Sequence, residues 1–419
     1  MSRGIGSLYR YSSGLLMHGN VRVLALTGLL TGTYVSMLNT ALQPFAVSLG
    51  LGLTSLGFMQ ALGNRVGGFS GAIIQPFAGR LADTHGRRKV IVGGSLVSIS
   101  SMASFLAAAI TNAWPLLIPG FLLLGFSLLS SPASQAILAE SVRMEPRKMR
   151  IVFSWVFFFN SIPGAVMAFV AGVIVDTIGY YLVFALAVAL ESVNLLLYLT
   201  RLGETRESSL RGEARRDAPT LTLRNVIEPP KGLRGFFATF ATDAFSFGMT
   251  GSIIYGMMVK QFGYSGTEVG LVVGTLYLAV VAAQYPAARI LLRFGSKKSL
   301  ALSEFLSVLL LVGWNVSTSL PYFILLSVLF GVAIAAWVPA QQSMLMALAP
   351  PEGRGALAGK LAAFTGLIAF PAPILGGFLF DTLGYHAPVT LSVVGIALAL
   401  SMIIRLLPDE RERVRQPAA

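Results

Sequence analysis

Apolar residues in this chain come in long runs, without the alternation of a half-buried strand or the single stripe of a surface helix. The runs fall near 22–46, 55–80, 89–110, 114–139, 151–175 and 180–201. After a polar stretch they resume near 235–259, 268–292, 298–318, 321–347, 357–381 and 386–407. Crossing a hydrocarbon core takes about 20 residues of helix, so the pattern predicts twelve spanning helices, here called spans 1 to 12. Several hold Pro inside them (Pro44, Pro76, Pro163, Pro339, Pro371), which neighbouring helices make tolerable in lipid. The extended polar linker 203–234 separates an N-terminal half (1–202) from a C-terminal half with its tail (235–419). The expected fold is an all-α membrane protein of twelve transmembrane helices in two pseudo-symmetric six-helix halves.

The halves repeat each other. Gly172, Asp176, Thr177, Gly179 and Tyr180 recur as Gly377, Asp381, Thr382, Gly384 and Tyr385, 205 positions later. Gly125, Pro132, Ala133 and Gln135 are echoed by Gly331, Pro339, Ala340 and Gln341. Matching halves of this kind commonly enclose a binding site at the bilayer midplane.

Composition supports the same picture. Of 419 residues, 55% are hydrophobic and only 12% charged, against roughly 25% charged in a soluble protein. Mean hydropathy is +0.74. A soluble enzyme, a disordered chain and a nucleic-acid module are excluded as the main reading. The net charge of +13 is mostly topogenic: with Arg65 inside a span and Lys260 alone on the opposite face, 29 of 31 basic residues fall on one side. By the positive-inside rule that side is cytoplasmic, and both termini are expected there, in a cell membrane, with no nucleic acid as partner. There is no cysteine, and His18, His85 and His386 form no HExxH pair. Without a GxxxxGK[ST] run the chain would not power itself with ATP. No metal or cofactor is expected. The first run leads straight into others and reads as a spanning helix, not a cleaved signal.

After span 2 comes Gly79-Arg80-Leu81-Ala82-Asp83-Thr84-His85-Gly86-Arg87-Arg88-Lys89. Gly79 would permit close helix approach, Gly86 a tight turn, and Asp83 can make charge-assisted bonds to the bases that break when helices move. The Gly-x3-Asp-x2-Gly-Arg-Arg spacing resembles the signature loop of the major facilitator superfamily. The resemblance extends over the whole chain through its spans, repeat, linker and inside termini. It implies a secondary transporter working by alternating access, with spans 1, 4, 7 and 10 lining the cavity and 2, 5, 8 and 11 beside them. The equivalent second-half loop keeps Gly295, Lys297 and Lys298 but has Leu292 in place of the acid. Two features of drug exporters in that family depart here: Phe121 stands where an Arg precedes Gly125, and the Gly-Pro-x2-Gly-Gly element of span 5 is matched better in span 11, at Ala372–Gly377.

Ionisable residues in hydrocarbon are costly and mark function by default. Arg65 in span 2 and Asp243 in span 7 fall near the midplane and are the coupling candidates, Arg65 as the acid's partner or as an anchor for an anionic substrate. Glu191 and Glu304, on peripheral spans 6 and 9, read as structural. Asn39, Gln43, Asn64, Gln135, Asn160, Tyr277, Gln284, Gln341 and Gln342 are candidates for the cavity wall. Serines and threonines of spans 1 and 4 read first as helix-helix glue. The expectation is a monomeric transporter of a small organic solute, embedded in lipid: an exporter of amphipathic compounds coupled to protons, or an uptake permease for a sugar or organic acid. A non-transporting sensor or scaffold is the reading of another class; a membrane enzyme lacks a nucleophile constellation.

Overall fold

The computed structural model describes residues 19–64, 68–141, 156–205, 228–230, 232–316, 318–348 and 354–408. Among them the secondary structure is helical, with no strand. Lipid explains this: a helix satisfies its own backbone polar groups where no water can. Ten helices among the described residues are long and apolar enough to cross a membrane. Span 1 is Gly19–Ser48, span 3 Arg87–Thr111, span 4 Trp114–Ser141, span 5 Val156–Thr177 and span 6 Tyr180–Thr200. In the second half, span 8 is Gly266–Phe294, span 9 Ser296–Val316, span 10 Leu320–Leu348 and span 12 His386–Leu406. Span 11 runs as Arg354–Ala369 and Ala372–Leu383, interrupted at Phe370 and Pro371.

Spans 2 and 7, expected as unbroken runs, are each divided. Span 2 is Leu53–Leu62 followed by Gly68–His85, and span 7 is Arg234–Gly251 followed by Ile254–Phe262. At the first break Gly63 is extended, with φ −175° and ψ 143°. At the second, Ser252 and Ile253 leave the helix, and the freed backbone groups find a partner in the other half, described below.

Small residues let the halves approach closely, as is usual between membrane helices. Span 2 packs on span 11, where a Cβ on Gly377 would sit 2.1 Å from the Leu53 carbonyl oxygen. Span 5 packs on span 8, where a Cβ on Gly172 would sit 2.2 Å from the Gly266 carbonyl oxygen. These two crossings are related by the sequence repeat, and both lie at the face carrying the charge-poor loops.

Candidate functional site

That charge-poor face is closed by two acids that the repeat makes equivalent. Asp176, in the last turn of span 5, accepts hydrogen bonds from the backbone N–H groups of Gly266 (2.8 Å) and Thr267 (2.7 Å), at the start of span 8. Asp381, in the last turn of span 11, accepts from the backbone N–H groups of Leu53 (3.2 Å) and Thr54 (2.8 Å), at the start of span 2. The Thr54 hydroxyl donates to it at 2.8 Å and Lys260 Nζ at 3.0 Å. A helix start leaves orphan N–H groups and a partial positive charge, so a carboxylate there is favoured twice over. Each half thus supplies the acid that caps a helix of the other. Lys260, the one base on this face, is explained by its ion pair with Asp381.

Deeper in, Gln43 of span 1 bridges to the break in span 7. Its Nε2 donates to the Ser252 carbonyl (3.0 Å) and its Oε1 accepts from the Gly256 N–H (3.0 Å). One side chain so satisfies a donor and an acceptor that the broken helix leaves open. Nearby, Asn39 Nδ2 donates to the Tyr277 hydroxyl at 2.9 Å, joining span 1 to span 8. Tyr277 itself fits against the bare backbone of Gly164, where an added Cβ would stand 2.4 Å from its ring.

The half-buried Asp243 lies within side-chain hydrogen-bonding reach of Glu304 of span 9, which is 1% exposed. Glu304 Oε1 is buried, with no neutral or cationic donor bonded to it among the described residues. Glu304, read from its helix as a peripheral structural acid, is the residue that lies beside Asp243. Arg65, expected as that partner, lies outside the described residues.

A sequence model of the Major Facilitator Superfamily matches residues 24–248 and again 235–419. The chain belongs to the major facilitator superfamily. It is similar to the multi-drug resistance efflux pump PmrA of Streptococcus pneumoniae serotype 4, 23% identical over 393 residues that cover 93% of this chain and 95% of the pump. It also resembles the multidrug resistance protein MdtG of Salmonella typhi, 26% identical over 378 residues covering 88% and 90% of the two chains. Among solved structures, the human organic anion transporter MFSD10 superposes with a TM-score of 0.66 at 17% identity, covering 92% of this chain and 98% of its own. The nucleoside transporter NupG gives 0.64 at 13% identity, covering 95% and 99%. At such identities the two structures establish the fold. The superfamily member described here is a multi-pass integral membrane protein and a secondary transporter of small molecules, not an enzyme.

The superfamily's signature loop is partly described. Gly86 takes φ +95° at the turn between spans 2 and 3, a conformation that favours glycine. Among the described residues no atom lies within 4 Å of where a Cβ on Gly79 would be. Close approach between spans 2 and 11 is seen at Gly57 and Gly377. Arg80 is exposed. Arg87 pairs with Glu140 of span 4. The backbone N–H groups of Arg87 and Arg88 donate to the two carboxyl oxygens of Glu204, both at 3.3 Å. Arg88 also donates from Nε to the Tyr198 carbonyl at 3.2 Å and from its guanidinium to the Leu199 carbonyl, near the end of span 6. The root of the linker is held further by Asn20, bonded twice to Gly203 (3.2 and 2.8 Å). The side chain of Asp83 lies outside what is described.

The remaining polar candidates are used locally. Asn64 Nδ2 donates to the Gln60 carbonyl (3.0 Å) and Gln135 Nε2 to the Ser131 hydroxyl (3.3 Å). Asn160 Nδ2 donates to the Gly28 carbonyl at 3.2 Å. Gln284 Nε2 is buried without a hydrogen-bond partner among the described residues. Gln341 is half-buried and Gln342 exposed. Sequence reasoning flagged Asp176 and Asp381 as repeat landmarks and gave them no role. The signal was present: a carboxylate conserved between the two halves, at the end of a span, facing loops almost free of bases.

Proposed function

We propose that this transporter is a proton-coupled exporter of amphipathic organic compounds, with Asp243 and Glu304 as its proton-binding pair. The observation that carries the reading is the placement of these two acids, on spans 7 and 9, side by side within reach of a shared hydrogen bond. Two carboxyl groups can share such a bond only while the pair holds a proton. Span 7 is broken between Gly251 and Ile254, so its Asp243-bearing part can move against span 9 without the outer piece following. Separating the acids would release the proton on one side, and rejoining them would take one up on the other. Export is supported by the similarity to a multi-drug resistance efflux pump and a multidrug resistance protein. In this reading the basic face, the linker and both termini are cytoplasmic, and a single chain is the working unit.

Flux in proteoliposomes with and without a pH gradient tests the coupling. Asp243→Asn and Glu304→Gln should each abolish gradient-driven flux while retaining substrate exchange. Normal gradient-driven flux in either variant would sink the proposal. The naturally cysteine-free chain makes the orientation test direct. Impermeant thiol reagent on intact cells should label Gln261→Cys and spare Lys298→Cys; the reverse pattern would overturn the topology.

A further inference from the structure

Inside the N-terminal half, between spans 1, 3, 4, 5 and 6, lies a cavity of about 280 Å³. Its wall includes Glu191 of span 6, which is 4% exposed. The proton-coupling pair makes no use of this acid. Ser95 Oγ donates to Glu191 Oε1 at 2.6 Å and Asn194 Nδ2 to Oε2 at 2.9 Å. Both donors are neutral, and no Lys, Arg or His among the described residues forms an ion pair with Glu191. A carboxyl charge removed from water needs a compensating cation or a proton.

The rest of the wall is biased toward accepting. Ser127, Ser130 and Ser134 spend their hydroxyl hydrogens on their own helix, on the carbonyls of Leu124 (2.7 Å), Ser127 (3.1 Å) and Ser130 (2.9 Å). Their oxygen lone pairs are what remains for the cavity. Behind the wall, Asn194, 0% exposed, holds the same acid and has a buried Oδ1 with no hydrogen-bond partner among the described residues. Tyr34 and Tyr198 line the cavity too, and aromatic rings attract organic ammonium groups through their quadrupole. The volume falls just below the roughly 300 Å³ lower bound of drug-sized sites. It suits a head group with the rest of the molecule outside.

We infer that this pocket seats the ammonium head of amphipathic organic cations, with Glu191 as its counter-charge. The inference deepens the export reading and rests on it for the identity of the ligand as cargo. Binding itself is tested without transport. Ser131→Cys places a thiol on the cavity wall of the full-length protein, and its alkylation by N-ethylmaleimide is timed in lipid nanodiscs. Benzyltrimethylammonium should slow the reaction; neopentylbenzene, the same shape without charge, should not. Adding Glu191→Gln should raise the protecting concentration by about tenfold or more, the value of a charge-assisted contact.

Equal protection by both probes, or unchanged protection in Glu191→Gln, would overturn the assignment. Protection by Na⁺ at constant ionic strength would instead make this an alkali-ion site and refute the organic-cation reading. If Glu191→Gln does not fold, the comparison of charged and neutral probes on the Glu191 background still decides. Gradient-driven flux of an uncharged compound in the unsubstituted protein tests the export reading separately, so failure here and failure of that reading are told apart.

Discussion

Replacing Asp381 by Asn should loosen the charge-poor face while leaving the fold intact. The carboxylate holds two backbone N–H groups, the Thr54 hydroxyl and Lys260. Asn keeps one acceptor oxygen and loses the charge. Lost are one hydrogen bond to a charged acceptor, about 1.5 kcal/mol, and the favourable charge at a helix start, about 0.3–1 kcal/mol. The ion pair has side chains 37% and 24% exposed, so solvent screening limits it to about 0.2–1 kcal/mol. Opening lets water take over part of these bonds, which brings the net to about 1–2 kcal/mol, or a five- to thirtyfold shift in population. Spin labels on Thr111→Cys and Thr318→Cys, one in each half at that face, read the shift as a longer distance population in pulsed electron resonance. Asp176→Asn should act alike, and the double variant should open further than either. An unchanged distance distribution in the double variant would refute the role assigned to both acids.

Gly377→Ala pushes a Cβ to within 2.1 Å of the Leu53 carbonyl oxygen. The crossing should lose about 1–3 kcal/mol to overpacking, seen as a lower thermal midpoint and the same longer distances. Gln43→Ala strands the Gly256 N–H and the Ser252 carbonyl, and should cost about 1–3 kcal/mol in the state closed at the charge-poor face; unaltered thermal unfolding would argue against the bridge. Asp83→Asn should lower transport and favour opening on the basic face, because this acid is expected to tie the halves there. Unmoved label distances across that face would remove its gating role.

The spans were legible because a membrane helix is a local property, written in about 20 consecutive residues. Their breaks were less so. Gly63 and Ser252 sit inside apolar runs that read as continuous, and the polar groups that make the breaks tolerable come from elsewhere: Gln43 lies 213 positions from Gly256. The same distance hid the partners of the candidate site. Asn39 and Tyr277 were both identified as polar residues of lining helices, yet nothing in either neighbourhood says that they bond, 238 residues apart. Glu304 was assigned a structural role from its helix alone, and only the packing of spans 7 and 9 on span 12 brings it beside Asp243. Span 1 divides differently. Thr33 and Ser36 donate only to carbonyls of their own helix, Thr40 donates also to the Ala168 carbonyl of span 5, and Asn39 and Gln43, with longer side chains, reach the other half.

The exchange of caps between the halves bears on how the chain is made. Ribosomes deliver the first half before the second, so the opening turn of span 2 enters the membrane with its N–H groups unanswered. Thr54 must wait for Asp381, 327 positions downstream, and Asp176 has nothing to cap until Gly266 follows it by 90. The newborn N-terminal half is therefore an incomplete object, and its first hairpin is finished among the last events of synthesis. A chain cut short before span 11 would present that unfinished helix end at the membrane surface, where quality-control proteases can distinguish it from the completed protein.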